Sequence, residues 1–271
     1  MLNVIDFVTP FDFDNNIDYD GIIKLISVFL ESKVDGIVLL GESSEAYSLS
    51  LEEKIELINF IIKFIDDRMK VYVTIHGNCK DIISLDSEIK NLNFDAYIVG
   101  DDIKGNEVGM LKYFTYLADK LSHNIVIDDS KMFGFELIRA LSYHPNIVGL
   151  SVKTKDIYYL IKISILSNDK FFIYVKNDYL ILPSICLDVD GIISVLGNAF
   201  PNIVANIITL KDIVSFMKYE SLILDLESEC RTANIKYLMS LKGLVNDKVR
   251  LPIASCSKEL KRKIEEDLSK L

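Results

Sequence analysis

Cysteine and positive charge are both scarce in this chain. Only 4 cysteines occur among 271 residues, they lie far apart, and none forms a C-x-x-C pair: Cys79, Cys186, Cys230 and Cys256. Zinc ribbons and disulfide scaffolds both need regularly spaced cysteines. The sequence therefore argues against both classes and predicts a protein of the reducing cytoplasm.

The charge balance is acidic, with 30 lysines and arginines against 40 aspartates and glutamates and a net charge of −10. Nucleic acids and anionic membranes bind basic surfaces, so we expect neither as a partner. The first six residues lack the basic-then-apolar order of a signal peptide. The longest uncharged run, 191–210, contains Pro201 and several asparagines, which favours a strand, a loop and a helix over a membrane span. A glycine-rich phosphate-binding motif is also missing, so nucleotide binding has no support.

Eight short apolar runs alternate with amphipathic segments along the chain. The runs are apolar almost throughout, as expected of parallel strands covered on both faces. They lie at Val4–Val8, Gly36–Leu40, Val71–Ile75, Ala96–Val99, Asn124–Ile127, Ile147–Ser151, Phe171–Val175 and Gly191–Val195. Eight strand–helix units predict an α/β fold of the (β/α)₈ TIM-barrel type. A doubly wound open sheet is the alternative, but it usually has fewer strands.

The segments between the runs have the apolar spacing of helices. Over residues 55–65 an isoleucine recurs every three or four positions. Ser50 and Glu53 precede this pattern with the spacing of a capping box, in which each side chain bonds the other residue's amide. Beyond the eighth run no further strand is predicted. We therefore expect a barrel over 1–212 and a C-terminal helical extension over 213–271 that packs on it.

In such a barrel the active site lies at the carboxyl ends of the strands. Polar residues follow most of the predicted strands, and they come from all around the barrel: Thr9, Glu42, His76, Asp102, Asp128, Ser151, Lys153, Lys176 and Ser194. We expect the mouth to collect several carboxylates, one histidine and two lysines.

Five motifs follow one another along the chain and carry a family resemblance. They are Thr9-Pro10-Phe11, Gly41-Glu42-Ser43-Ser44-Glu45 followed by Leu49-Ser50-Leu51-Glu52-Glu53, Asn146-Ile147-Val148-Gly149, Gly191-Ile192-Ile193-Ser194-Val195 with Asn198 and Pro201, and Arg250-Leu251-Pro252. In this order they resemble motifs of the dihydrodipicolinate synthase / N-acetylneuraminate lyase family. The second is similar to its G-T-T-G-E and L-[ST]-x-x-E, the third to the approach to its lysine, and the fourth to its G-x-I-S-V-x-x-N-x-x-P.

The resemblance implies class I aldolase chemistry. A lysine amine condenses with the ketone of pyruvate or a related 2-oxo acid, and the imine then loses a proton to give an enamine. Such a lysine must be partly deprotonated, so its surroundings lower its pKa. In the family a tyrosine relays protons, while threonines and main-chain amides hold the substrate carboxylate. The resemblance also implies a homo-oligomer, either a tetramer or a dimer, that needs no cofactor.

Several residues of that apparatus are changed in this chain. Aligned without gaps, the family's lysine falls on Ser151, its tyrosine on Ile127 and its first threonine on Glu42. An arginine of the synthase branch falls on Met132, and a further tyrosine falls near Asp102. Serine cannot form an imine and isoleucine cannot relay a proton. The standard mechanism therefore cannot run on the aligned residues, and whether the chain is an active enzyme stays open.

Two lysines are candidates for a relocated nucleophile. Lys153 shares a strand face with Ser151 and lies about 6 to 7 Å further along the strand. Lys176 follows the seventh strand. Alternatively, each lysine is a rim residue paired with an aspartate such as Asp128. The resemblance places substrate-binding residues at Thr9, Glu42, Ser43, Ser151 and Ser194.

Three functions remain as hypotheses. The first is a carbon–carbon lyase or synthase that acts on pyruvate or a related 2-oxo acid through a relocated lysine. The second is a barrel that has lost imine chemistry and serves in binding, regulation or assembly. The third is a metal-assisted enzyme, since Glu42, His76, Asp102 and Asp128 offer ligand types suited to Mg²⁺, Mn²⁺ or Zn²⁺. No ligand spacing supports the third hypothesis, so no metal ligand is assigned.

Overall fold

The computed structural model, which describes residues 1–100 and 105–271, contains a closed barrel of eight parallel strands. Each strand pairs with the next along the chain, and the eighth pairs with the first. The strands are β1 Leu2–Asp6, β2 Gly36–Leu39, β3 Lys70–Ile75, β4 Ala96–Val99, β5 Ile125–Asp129, β6 Ile147–Val152, β7 Phe172–Val175 and β8 Gly191–Ser194. The TIM-barrel prediction is confirmed, and the open doubly wound sheet is wrong.

The first strand lies two residues earlier than predicted. Leu2 pairs with Gly191 at its start, and the strand ends at Asp6 instead of Val8. Beyond it the amide of Phe7 still donates to the carbonyl of Val38 at 3.1 Å, but the amide of Val8 donates to the side-chain Oδ1 of Asn198 at 3.3 Å. Asp6 is therefore the last residue of β1.

The helices surround the barrel and follow the strands in order. They are α1 Tyr19–Glu31, α2 Leu51–Ile65, α3 Cys79–Ile89, α4 Glu107–Lys120, α5 Phe135–Leu141, α6 Ile157–Ser164, α7 Ile181–Cys186 and α8 Pro201–Leu210. Ser50 and Glu53 form the predicted capping box of α2. Three further helices complete the chain: α9 Ile213–Glu227, α10 Arg231–Leu241 and α11 Lys258–Ser269. Within the described residues, no helix combines the length and the apolar character needed to cross a membrane.

Two hydrophobic layers result from the alternation of side chains along the strands. A small cluster fills the inside of the barrel: Val4, Val38, Tyr72, Ala96, Ile98, Val126, Tyr174 and Ile193. A much larger cluster lies between the strands and the helices, and it includes Ile5, Ile37, Val73, Ile127 and Leu150. The inner cluster closes the barrel below the carboxyl ends of the strands, so any ligand must bind above it.

Candidate active site

A cavity of about 670 Å³ opens at the carboxyl ends of the strands. Polar side chains from five strand ends line it: Glu42, Thr74, His76, Asp128, Lys153 and Lys176. A smaller cavity of about 290 Å³ lies where β3 begins, and the charged pair there, Lys70 and Asp95, is already joined at 2.9 Å. The larger cavity has both the position of a barrel active site and the titratable groups, so it is the candidate site.

The floor of the site is a polar layer directly above the inner hydrophobic cluster. Four strands each place a polar side chain two positions beyond an inward-facing residue, on the same face: Asp6, Thr74, Asp128 and Lys176. Ser151 joins them because it pairs in register with Asp128 and with the inward-facing Tyr174.

Ile127, the aligned position of the family's tyrosine, is not the residue of β5 that faces the cavity. Ile127 is fully buried in the outer layer between strands and helices, so its side chain points away from the cavity. The inward residue at this strand end is Asp128, which lines the cavity. A carboxylate, and not an isoleucine, thus occupies the place on β5 from which a side chain can reach a ligand.

Lys176 is held in a buried ion pair. Its Nζ lies 3.0 and 2.8 Å from the two carboxylate oxygens of Asp128, and the two residues are only 8% and 7% exposed. Burial acts to lower the pKa of Lys176, but the carboxylates of Asp128, Asp6 and Glu42 outweigh it and leave the pKa above its ordinary value. The ion pair with Asp128 and the raised pKa both favour the charged form of this amine.

Lys153 lies nearer the surface of the site. Its Nζ is 2.5 Å from Oε1 of Glu42, and the lysine side chain is 33% exposed. Glu42 also faces Arg231 of α10, at 3.7 Å. Although burial opposes ionisation, Arg231 and Lys153 hold the pKa of Glu42 below its ordinary value. The pair is thus an ionised contact at the edge of the cavity, in reach of a bound ligand.

Asp6 and Ser43 form a second buried contact beside the cavity. Oδ2 of Asp6 accepts hydrogen bonds from the amide of Ser43 at 3.2 Å and from its Oγ at 2.8 Å. Asp6 is 2% exposed. Burial raises the pKa of this carboxyl group, while Lys176, Arg231 and the Ser43 hydroxyl act in the opposite direction.

The remaining predicted residues lie apart from the cavity lining. The Oγ atoms of Ser151 and Thr9 are buried and have no hydrogen-bond partner among the described residues. Ser194 pairs in register with Ile5, whose side chain faces the outer layer. The Oγ of Ser194 accepts a hydrogen bond from the amide of Gly197 at 2.9 Å. Of the predicted set, the structure brings Glu42, Lys153 and Lys176 together at the cavity, places Ser151 in the polar layer of its floor, and places Ser43 beside it, against Asp6. Thr9 and Ser194 do not line it.

The four residues considered for a metal do not form a ligand set in the described part of the chain. Asp102 lies outside the described residues. Glu42 forms an ion pair with Lys153, and Asp128 forms one with Lys176. No group of three or more histidine, cysteine, aspartate or glutamate side chains within 1–100 and 105–271 is arranged to hold a metal ion.

Sequence reasoning missed three residues of the site: Asp6, Thr74 and Arg231. Asp6 carried a usable signal, because a carboxylate inside an otherwise apolar run needs a partner. Thr74 follows from alternation along β3, two residues beyond Tyr72. Arg231 had no local signal, since it reaches Glu42 from the C-terminal helices.

Comparison with known proteins gives a consistent result over the whole chain. The model of the dihydrodipicolinate synthetase family matches residues 3–271. The chain is 25% identical to the 4-hydroxy-tetrahydrodipicolinate synthase of Bacillus velezensis over 279 residues, which cover 97% of this chain and 96% of that protein. It is 28% identical to the enzyme of the same name from Karelsulcia muelleri, over 96% of this chain and 94% of that one.

Solved structures show the same fold. The chloride-inhibited dihydrodipicolinate synthase of Acinetobacter baumannii, complexed with pyruvate, superposes with a TM-score of 0.92 at 23% identity, and the match covers 99% of this chain and 97% of that one. A monomeric dihydrodipicolinate synthase variant gives a TM-score of 0.92 at 20% identity, with 100% and 96% of the two chains covered.

Proposed function

Because the chain belongs to the dihydrodipicolinate synthetase family, we propose that its cavity binds a small 2-oxo acid such as pyruvate and that Lys153 is the amine that condenses with it. One observation carries this proposal: Lys153 lines the cavity directly after β6, the strand that bears Ser151, the aligned position of the family's lysine. The reaction class is that of a carbon–carbon lyase or synthase working through a relocated lysine.

Lys153 is favoured over Lys176 on physical grounds. Lys176 is nearly enclosed and contacts both oxygens of Asp128, so a neutral amine there would leave a buried carboxylate without its cation. Lys153 is a third exposed and has a single carboxylate partner. Water can solvate both groups there, so separating Lys153 from Glu42 to meet a ligand costs less than breaking the buried pair of Lys176.

Imine formation needs a proton acceptor next to the amine. Glu42 is in contact with Lys153 Nζ, so its carboxylate can take the proton when the amine attacks a ketone carbon. Arg231, on the other side of Glu42, keeps this carboxylate in place. Glu42 then passes this proton, and afterwards the second amine proton, to the carbonyl oxygen, which leaves as water as the C=N bond forms. Lys176 supplies a fixed positive charge at the floor of the cavity.

Borohydride trapping tests the proposal. The protein is incubated with pyruvate, reduced, digested and examined by peptide mass spectrometry. We expect one reduced pyruvyl group on the peptide that contains Lys153 and none without pyruvate. Lys153→Arg keeps the charge opposite Glu42 but cannot form the imine, so it should abolish the adduct. An adduct on Lys176, or no adduct with any 2-oxo acid tested, contradicts the proposal.

A second candidate is a barrel that binds a 2-oxo acid without imine chemistry. It is favoured by the serine at position 151 and by the ion pairs that engage both lysines. In that case pyruvate raises the melting temperature of the wild-type protein, and of Lys153→Arg equally, while reduction leaves every lysine unmodified. The two candidates thus differ in a single measurement on the same samples.

A further inference from the structure

The lysines and carboxylates that line the cavity do not balance in number. They are Lys54, Lys153 and Lys176 against Glu42 and Asp128. Glu42 is paired with Lys153, and Asp128 is paired with Lys176. The side-chain amine of Lys54 forms no hydrogen bond or ion pair with any residue that the structure describes. The cavity therefore contains one ammonium group for which the described chain supplies no counter-ion.

Lys54 is half-buried, which makes the missing counter-ion costly. Burial lowers the pKa of its amine, and within the described chain no carboxylate acts in the opposite direction. A partly buried ammonium group without a partner loses hydration and gains nothing in exchange, so an anion bound beside it removes that cost. The hydroxyl of Tyr47 also lines the cavity and has no hydrogen-bond partner among the described residues. An ammonium group and a hydroxyl donor are thus both available to a ligand.

The part of the cavity that Lys54 lines lies outside the ring of strands. Lys54 is near the start of α2, and Leu85 of α3 lines the cavity as well. The cavity thus extends from Lys176 and Asp128 on the barrel floor outward to α2 and α3. Its volume of about 670 Å³ is that of pockets that bind ligands much larger than pyruvate. Part of its lining is apolar: Leu40, Ala46, Ile75 and Leu85.

We propose that Lys54 and Tyr47 bind the distal carboxylate of a 2-oxo dicarboxylate whose ketone lies at Lys153. This inference rests on the proposed function only in taking the ligand to be a 2-oxo acid bound at Lys153. The first carboxylate is bonded directly to the ketone carbon and stays beside it, so a second acidic group is needed to reach Lys54. The methylene groups between the two carboxylates pack on the apolar lining. Lys54 is thus a specificity-determining residue of the cavity.

Pairs of 2-oxo acids that differ only at the far end test this assignment. 2-Oxoglutarate and 2-oxopentanoate have the same chain length, but the first ends in a carboxylate and the second in a methyl group. 2-Oxoadipate and 2-oxohexanoate form the next longer pair. Calorimetric titration gives their dissociation constants. We expect the wild type to bind the dicarboxylate of at least one pair about tenfold or more tightly than its partner, the effect of roughly one charge-assisted hydrogen bond.

Lys54→Met keeps the apolar stem of the side chain but removes its charge. This variant should lose the preference for the dicarboxylate and keep the wild-type affinity for pyruvate. Lys54→Arg, which restores a cation, should recover most of the preference. Lys63→Met is the matched control, since Lys63 is exposed in the last turn of the same helix. No preference in the wild type, a preference that survives Lys54→Met, or an equal loss of pyruvate affinity in that variant overturns the inference.

Borohydride reduction of the same samples separates this inference from the proposed function. A preference that Lys54→Met removes, without an adduct on Lys153, supports the distal carboxylate site and contradicts the imine. An adduct on Lys153 without any preference between the paired acids supports the imine and overturns the distal site. A reduced adduct on Lys54 would show that its amine attacks the ketone instead of binding a carboxylate, which also overturns the inference.

Discussion

At the scale of single residues, the pair formed by Lys176 and Asp128 decides which amine can react. Both side chains lie inside the barrel and each contacts the other through two hydrogen bonds. In a site this buried, removing one of the two side chains costs more stability than the intact pair contributes, because the remaining charge stays buried without a partner. Lys176 is thus best understood as the counter-ion of the carboxylates on the floor of the site, with Asp128 closest.

Lys176→Met should therefore lower the free energy of unfolding by about 3 to 5 kcal/mol. Combining it with Asp128→Asn should restore part of the loss, since the carboxylate closest to the missing amine is then neutralised as well. Urea denaturation measures both changes. Lys170→Met, at an exposed position before β7, should stay within about 0.5 kcal/mol of the wild type. A loss below about 1 kcal/mol for Lys176→Met would show that the pair is far better solvated than its burial indicates.

Asp6 should make the stability of the protein depend on pH. Folding raises the pKa of this carboxyl, even though Lys176, Arg231 and Ser43 lower it and only Glu42 acts together with burial. The folded state then binds more protons than the unfolded state between the two pKa values. The stabilising contribution is complete below the unfolded pKa and is lost as the pH rises through the folded pKa.

Asp6→Asn should consequently gain stability relative to the wild type as the pH rises from the ordinary aspartate range toward neutrality. Thermal unfolding at a series of pH values measures the difference, and Asp169→Asn is the exposed control that should run parallel to the wild type. If the melting temperature of Asp6→Asn also changes with pH in parallel with that of the wild type, the Asp6 carboxyl has the same pKa in the folded and the unfolded state, and the prediction is wrong.

How much of the site could be predicted differs from residue to residue. Glu42, Lys153 and Lys176 were predicted because each directly follows a recognisable strand, and they do meet at the cavity. The sequence does not mark Asp6 as a site residue, because the apolar run continues to Val8 and places the predicted strand end two residues too far, next to Thr9. Past the end of β1 the amide of Val8 is bound by Asn198, 190 residues away, which no local pattern could indicate.

At the scale of elements, α10 is tied to the turn after β2 by a second buried pair. Lys236 and Glu45 are both 0% exposed, and their side chains form an ion pair. Lys236 also donates to the carbonyl of Lys248 at 2.9 Å and lies 4.1 Å from the ring centre of Phe11. Burial lowers the pKa of Lys236 to about 8, with Glu45 acting in the opposite direction. The turn that carries Glu42 and Ser43 is thus held from the C-terminal side.

A double-mutant cycle should show this coupling. Lys236→Met and Glu45→Gln should each destabilise the protein by about 3 to 5 kcal/mol, and the double variant by clearly less than their sum, with at least about 1 kcal/mol of interaction. Urea denaturation gives all four values. The exposed pair Lys263 and Glu259 on α11 is the control, and its cycle should give about 0.3 to 0.5 kcal/mol. Strictly additive losses for the buried pair would contradict the coupling.

The sequence predicts the strands and helices themselves, but it does not predict the contact between α10 and the turn after β2. The strands and the helix over 55–65 follow from apolar periodicity, and the capping box of α2 follows from two residues. α10 is buried on all sides from Arg231 to Met239. A helix of this kind has no polar face, and its charged residues would ordinarily be assigned to the surface. Only their partners, which are distant in sequence, place them inside.

At the scale of the whole molecule, α9 carries an apolar face that the described residues leave exposed. Ile213, Met217 and Leu224 lie on one side of this helix and are 59%, 57% and 53% exposed. The buried side, which packs on the rest of the chain, contains Phe216 and Leu222. Exposed apolar residues aligned along a helix are typical of a protein interface. The division at residue 212 and the homo-oligomer stay predictions, and this face is where the second can be tested.

We expect self-association through α9, because pairing this face with a second copy would remove its apolar side chains from water. Met217→Lys combined with Leu224→Lys should lower the sedimentation-equilibrium mass to that of one chain while leaving the circular dichroism spectrum unchanged. Phe13→Lys with Tyr143→Lys is the matched control, since both positions are 80% exposed and apolar but lie on other segments. It should keep the wild-type mass. A wild-type protein that already sediments as a single chain, or equal dissociation by both double variants, would remove α9 as the interface.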